Sequence, residues 1–375
     1  MKKVVIAIDS FKGCLPSAEA GKAAAEGIRS VYPECEVICL PIPDGGEGML
    51  DVLIMATNGQ EVPISAHDPL MRWRNTYYGI SENGETAFIE MASISGLPLV
   101  PPERRNPMLT TTYGTGEIIR DALERGCRNF IIGIGGSATN DAGLGMLQAL
   151  GFRFSDKEGK EVGTGRGEVL IKVAHIDSTC VHPALNSCRF TVACDVQNPF
   201  YGPEGAAYVF APQKGADREM VEALDAGLQN FAEVIRHTTG KDISHHPGAG
   251  AAGGMGGSLL AFLNAELKPG IQLMLEALNF SNKIKSADLI ITGEGKADRQ
   301  TLMGKVPSGI LAEARKQNIP VILLAGNIED SDELQQAGFE GVFSVNPPFI
   351  SLEEAMRPEV ARKNIQQTVE SICKK

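Results

Sequence analysis

The chain has 375 residues, 43% hydrophobic and 22% charged, which is long enough for two domains because single cores seldom grow past about 250–300 residues. Thirty-five basic against forty-six acidic residues leave a net charge of −11, and no basic stripe offsets it, so nucleic acid is excluded as the expected partner. The eight cysteines are scattered without Cys-x-x-Cys spacing and no apolar run is long enough for a membrane span; a reduced, cytoplasmic protein is expected, with no membrane partner and a homodimer left open.

The first element, "KKVVIAID", is a short β-branched run ending in an acid. "SAEAGKAAAEGIRSVY" follows with apolar residues at helical spacing and Ser17 as its expected cap, and "CEVICLPIPDGGEG" gives a second strand. "NTYYGISENGETAFIEMA" alternates apolar and polar residues around Asn83-Gly84, a β-hairpin pattern. "NFIIGIGGS", "CRFTVACDVQNP" and "GAAYVFAP" read as further strands. Residues 247–257, "PGAGAAGGMGG", read either as a hinge or as the glycine-rich mouth of the helix "SLLAFLNAEL". The strand and helix grammar of the N-terminus then returns in "ADLIITGEGKAD", "PSGILAEARKQ", "PVILLAG", "SDELQQAG" and "EGVFSV". The spacing predicts an α/β protein in which residues 1–60 and 266–375 build one parallel-sheet domain and residues 61–265 form an inserted α+β domain.

In open parallel sheets ligands bind at the carboxyl ends of strands, and four such ends pair small turns with acids: Asp9 to Gly13, Asp44 to Gly48, Gly135 to Asp141, and Gly293 to Gly295 with Asp298. Glycines let backbone N–H groups close on an anion, and a following helix adds a partial positive charge. Gly135, Gly136, Ser137, Asn140, Gly293 and Gly295 are therefore the expected phosphate cradle, although neither the P-loop nor the dinucleotide fingerprint is present. Carboxylates beside phosphates need a divalent cation between them, which predicts Mg²⁺ with a nucleotide and makes Asp141, Glu294 and Asp298 the candidate metal ligands. Lys12 and Lys305 are placed to offset charge on a transferring phosphoryl group, and Asp195 to take a proton from an acceptor hydroxyl. Arg104 and Arg105 could seat a small carboxylate, with Asp44 beside the substrate; Lys214 reads more readily as part of a surface turn. The residues alone leave open which of Asp9, Asp44, Asp195, Glu294 and Asp298 acts as base and which bind metal. The six histidines lack metal-ligand spacing.

Six ordered blocks, "DSFKG" (9–13), "PDGGEG" (43–48), "GIGGSATND" (133–141), "ACDVQNP" (193–199), "PGAGAAGGMGG" (247–257) and "TGEGKAD" continuing to "GKVP" (292–307), together resemble the class I glycerate kinases. The resemblance implies an ATP-dependent, Mg²⁺-requiring enzyme that phosphorylates D-glycerate at the 2-hydroxyl. It also implies a flavodoxin-like domain carrying a restriction-endonuclease-like insert, with the active site in the cleft between them. Asp9, Lys12 and Asp195 are the catalytic candidates among the residues. Two positions depart from the family's pattern: Ala142 replaces a frequent glycine, arguing against a left-handed backbone there, and Lys296 replaces a frequent arginine, keeping charge without a two-pronged phosphate grip. The competing expectations are a hydroxy-acid dehydrogenase, disfavoured by the missing fingerprint, and a non-catalytic two-domain sugar-acid sensor, disfavoured by the strand-end carboxylates.

Overall fold

A computed structural model of the chain describes residues 1–11, 13–43 and 48–374. In chain order the strands are β1 (Lys3–Ile8), β2 (Glu36–Cys39), β3 (Gln60–His67), β4 (Trp73–Ile80), β5 (Thr86–Glu90), β6 (Asn129–Gly133) and β7 (Arg153–Ser155). They continue as β8 (His175–Asp177), β9 (Arg189–Ala193), β10 (Glu266–Lys268), β11 (Leu289–Ala297), β12 (Val321–Ile328) and β13 (Gly341–Ser344). The chain divides into two compact units, Met1–Asp44 with Ile271–Lys375, and Gly45–Gly270.

The first unit holds a five-stranded sheet of order β13-β12-β11-β1-β2, all parallel. A parallel strand covered on both faces should be apolar without alternation, and β1, KVVIAI, is buried from its second residue onward. Val4, Ile6 and Ile8 join the core built with the helices Ser17–Val31 and Pro358–Cys373. Those helices meet at Gly27, where a Cβ would lie 2.5 Å from the Gln366 carbonyl oxygen, so glycine is required for the approach. Ser17 is not the cap expected of it: Pro16 occupies the N-cap, while the Ser17 hydroxyl donates to the Ile8 carbonyl at 2.5 Å and accepts the Ile42 N–H at 3.1 Å. It ties the ends of two strands together instead of closing a helix.

The second unit is built on a six-stranded mixed sheet of order β10-β9-β6-β5-β4-β3 and a two-stranded ribbon of β7 and β8. The expected hairpin is β4 and β5, antiparallel, with Gly84 at φ 74 in the connecting turn. Phe130 and Phe190, partners across β6 and β9, stack with centroids 4.7 Å apart. The helix Arg218–Thr239 starts on an Asp217 cap to the Met220 N–H, ends at Gly240 with φ 74, and packs Phe231 on Phe154. One expected strand is a helix: Ala206–Phe210 of "GAAYVFAP" winds so that Ala206 and Ala207 are buried while Tyr208 and Val209 are exposed. A short apolar run fits either period, and packing decides it. Among the described residues no helix is long and apolar enough to cross a membrane.

Candidate active site

In the first unit, register aligns Ile8, Gly293, Leu324 and Phe343 across four parallel strands, so the residues that follow them share the sheet's carboxyl edge. Asp9 is buried there, its Oδ1 accepting the Ser10 N–H at 2.6 Å. Glu294 is also buried; Oε1 accepts the Thr301 hydroxyl at 2.6 Å and Oε2 lies 3.9 Å from Lys305 Nζ. Lys305 is the N-cap residue of the helix Val306–Arg315, with Pro307 in its first turn, which puts an ammonium beside the positive end of a helix. Asp9, Glu294, Lys296 and Lys305 line one cavity of about 320 Å³.

The glycines of this edge lie within a strand and not in a turn. β11 does not stop at Thr292 but runs to Ala297, pairing Gly293 and Glu294 with Leu324 and Ala325. A Cβ at Gly293 would lie 2.5 Å from the Leu324 carbonyl oxygen, so close strand packing by itself requires this glycine. Gly295 is likewise a strand residue, its carbonyl lying 2.7 Å from where a Cβ on Gly326 would stand. Asp298 caps the 3₁₀ turn Arg299–Leu302, accepting the Gln300 N–H at 2.9 Å, and sits 3.4 Å from Lys296 Nζ. Burial pushes its pKa up, but the Gln300 N–H and the nearby lysines outweigh that and hold it below the usual range.

In the second unit, Glu90, Gly133, Ala193 and Lys268 are in register, so Asp195 and the turn 134–141 leave the sheet at one edge. Gly135 and Gly136 are exposed, with Gly136 at φ 71. The helix expected behind this turn starts only at Leu144 and has six residues, and its first N–H groups are taken: Asp141, fully buried, accepts Gly143 N–H and Gly145 N–H at 3.2 Å each. Asp141 also accepts the N–H and the hydroxyl of Thr112, both at 2.8 Å. Burial drives its pKa up and these four donors pull it back. Three of these donors converge on Oδ2 and one reaches Oδ1, so the carboxylate is satisfied from the protein and joins two helix starts.

Ala142 adopts φ 52 in front of Gly143 at φ 74; the left-handed backbone that alanine argues against is present all the same. Gly253 crowds the same turn, since its Cβ would lie 2.1 Å from the Thr139 carbonyl oxygen, and its own carbonyl accepts the Ala142 N–H at 3.0 Å. The stretch 248–259 is almost wholly buried and leads into the helix Met255–Phe262, so it is a helix mouth and not a hinge.

Lys214, read as a surface turn, is 2% exposed. Its ammonium donates to Ser137 Oγ at 2.9 Å and to the Thr139 carbonyl at 2.6 Å, and burial pulls its pKa down to about 7. The sequence signal was the Gly215 that follows it: at φ 98, a Cβ there would lie 2.3 Å from the Arg105 carbonyl oxygen, so the turn is pressed against the chain and not free in solvent. Beside this cluster Asn140 is fully buried with neither amide atom partnered, and the Thr139 hydroxyl is also orphaned, unusual for buried polar groups. Arg104 is exposed, and Arg105 is half-buried with Nε 3.4 Å from the Val100 carbonyl. Asp195 is exposed, with Oδ1 accepting the Gly270 N–H at 2.8 Å. Lys12 and Asp44 lie outside the described residues. Among the described residues no three His, Cys, Asp or Glu side chains form a metal-holding group.

The glycerate kinase family model matches residues 4–375. The glycerate 2-kinase of Escherichia coli K12 is 48% identical over 95% of this chain and 93% of its own length, and the glycerate kinase of Bacillus subtilis 168 is 45% identical over 99% and 97%. A crystal structure from Salmonella typhimurium LT2, named for a glycerate kinase 2, superposes with a TM-score of 0.88 at 44% identity, covering 100% of this chain and 97% of that one. With strand-end acids and lysines gathered on one cavity and this likeness running the length of the sequence, the chain belongs to the glycerate kinase family and is an enzyme, a glycerate kinase.

Proposed function

We propose that the protein transfers the terminal phosphoryl group of ATP to the 2-hydroxyl of D-glycerate, releasing 2-phosphoglycerate and ADP. The observation that carries this reading is the convergence of Asp9, Glu294, Lys296 and Lys305 on one cavity at the carboxyl edge of a parallel sheet. The 2-position is supported by the name of the Escherichia coli relative, glycerate 2-kinase. Strand order is consistent too: numbered within the first unit, the strands run 2-1-3-4-5, the flavodoxin-like order, which seats ligands beside its first strand. On this reading the first unit is flavodoxin-like and the second is the restriction-endonuclease-like insert. The eight unpaired cysteines favour a reducing, cytoplasmic setting.

Phosphoryl transfer asks a protein mainly for positioning and charge. Lys305 and the amides at the start of its helix hold the anionic tail of ATP, and Lys296 adds a second cation. Asp9 and Glu294 are hard oxygen donors on the same cavity and fit a Mg²⁺ that takes only one or two protein carboxylates. When bound, the ion would supply screening of the phosphate charge. In the second unit Asp195 is assigned the proton of the acceptor hydroxyl, and the exposed turn residues Gly135 and Gly136 are assigned an anionic oxygen. Arg104 and Arg105 are assigned the glycerate carboxylate, while Lys12 and Asp44 keep the catalytic and substrate roles expected from the sequence. Purified protein given Mg-ATP should release ADP only when D-glycerate is added; release that ignores glycerate, or none at all, contradicts the reading.

A further inference from the structure

We propose that the apolar wall of the first unit's cavity, made by Phe11, Val345, Leu352, Ala355 and Met356, receives the nucleobase of the phosphoryl donor. The inference rests on the kinase reading, because it presumes a nucleotide donor, and it assigns a part of that nucleotide which the acids and lysines do not touch.

The cavity has two unlike sides. The strand β11 and the residue after β1 contribute Glu294, Lys296 and Asp9, and the helix start contributes Lys305, whereas the segment after β13 contributes Val345, Leu352, Ala355 and Met356; Phe11 lines the cavity as well. Glycerate is a three-carbon acid with oxygen on every carbon and has no apolar face to set against the second side. A nucleoside triphosphate has both an anionic tail and a flat apolar end. The volume of about 320 Å³ falls in the range of pockets that enclose ligands larger than glycerate. Gly326 on this wall packs its backbone against Gly295, where a Cβ would fall 2.7 Å from the Gly295 carbonyl oxygen.

The mouth carries the second mark of an unfilled partner. Leu352 is 75% exposed and Met356 39%, and both line the cavity. One exposed apolar side chain is ordinary, but two such residues one helical turn apart on the wall of a cavity form a patch with a use. The polar side chain of that wall is already engaged, since the Asn346 amide donates to the Gly326 carbonyl at 2.7 Å and its carbonyl accepts from Asn364 at 3.3 Å. Packing against the base is what the wall has left to offer.

The test compares ADP with inorganic tripolyphosphate, which has the phosphate chain and no base, by calorimetry on wild type, Leu352→Ala and the double variant Leu352→Ala/Met356→Ala. ADP should bind about tenfold more weakly to the double variant and about threefold more weakly to Leu352→Ala, whose exposed side chain the fold does not need. Tripolyphosphate affinity should stay within twofold throughout, and the KM for ATP should rise while that for glycerate does not. Unchanged ADP affinity in both variants overturns the inference, as does equal weakening of ADP and tripolyphosphate or a rise in the glycerate KM instead. Wild-type turnover separates the two levels: failure to phosphorylate glycerate sinks the kinase reading, whereas turnover with unaltered ADP binding sinks only the base site.

Discussion

The acids at the carboxyl edge of the first unit's sheet resemble, in sequence, the acid after β6 in the other unit, yet they end in opposite situations. Asp9 and Glu294 line a cavity beside Lys305, whereas Asp141 has no exposed surface and accepts four hydrogen bonds from Thr112, Gly143 and Gly145. The difference lies in the chain immediately C-terminal to each acid. Behind Glu294 the strand continues and the next long helix begins at Val306, leaving its start beside the cavity. Behind Asp141 a short helix begins at once and its own N–H groups fold back onto the carboxylate. A small residue and an acid after a strand therefore predict a polar turn, and local competition for backbone donors decides whether that turn does chemistry or construction.

The contrast can be broken most severely at Asp141. Asp141→Ala strands four buried donors and should cost about 3–5 kcal/mol of stability in urea unfolding. A variant of wild-type stability with weakened Mg²⁺ dependence would instead support the metal role. Glu294→Gln should do the reverse: turnover about 100-fold lower, equivalent to about 2.7 kcal/mol, with unfolding stability altered by less than about 1 kcal/mol because the Thr301 hydrogen bond survives. Equal damage to stability and turnover would erase the distinction.

Lys214 sharpens it through pH. The unfolded chain keeps this ammonium protonated up to its ordinary pKa of 10.5, while the folded protein releases the proton near 7. Between those values the unfolded state binds more protons, so this group makes stability rise with pH, by at most about 1.4 kcal/mol per pH unit. Buried thiols such as Cys127 and Cys194, whose pKa values burial raises, work in the opposite direction near pH 9. The quantity to measure is thus the difference between wild type and Lys214→Met, which should climb from pH 7 to pH 10; a flat difference would mean that Lys214 is not buried as an ammonium donor. The smallest effect is expected at Ala142. Glycine there loses a buried methyl, worth about 0.8 kcal/mol, and gains unfolded-state entropy, but it removes about 1–2 kcal/mol of left-handed strain. Ala142→Gly should therefore change stability by no more than about 0.5 kcal/mol, whereas a loss near 2 kcal/mol would deny the strain.

Much of the frame could be read from residues in chain order, because the buried parallel strands and the Asn83-Gly84 turn depend on local composition and period. The strand Lys3–Ile8 and the Val321–Ile328 run are examples. What could not be read depended on partners far away in sequence. Leu324 extends the pairing of β11 through Gly293, Thr112 claims Asp141 across 29 positions, and Ser137 receives Lys214 across 77. "GAAYVFAP" became a helix because its three alanines found a core to enter. In the candidate site, residue types were legible and allegiances were not, since a carboxylate's neighbours are set by folding and its identity by sequence alone.

The most direct test of the account is the position of the new phosphoester. Coupling between phosphorus and the carbon-bound protons of the product, recorded by NMR after D-glycerate and Mg-ATP are incubated with the protein, should show one ester on carbon 2. An ester on carbon 3, or no ester while ATP is consumed, would contradict it.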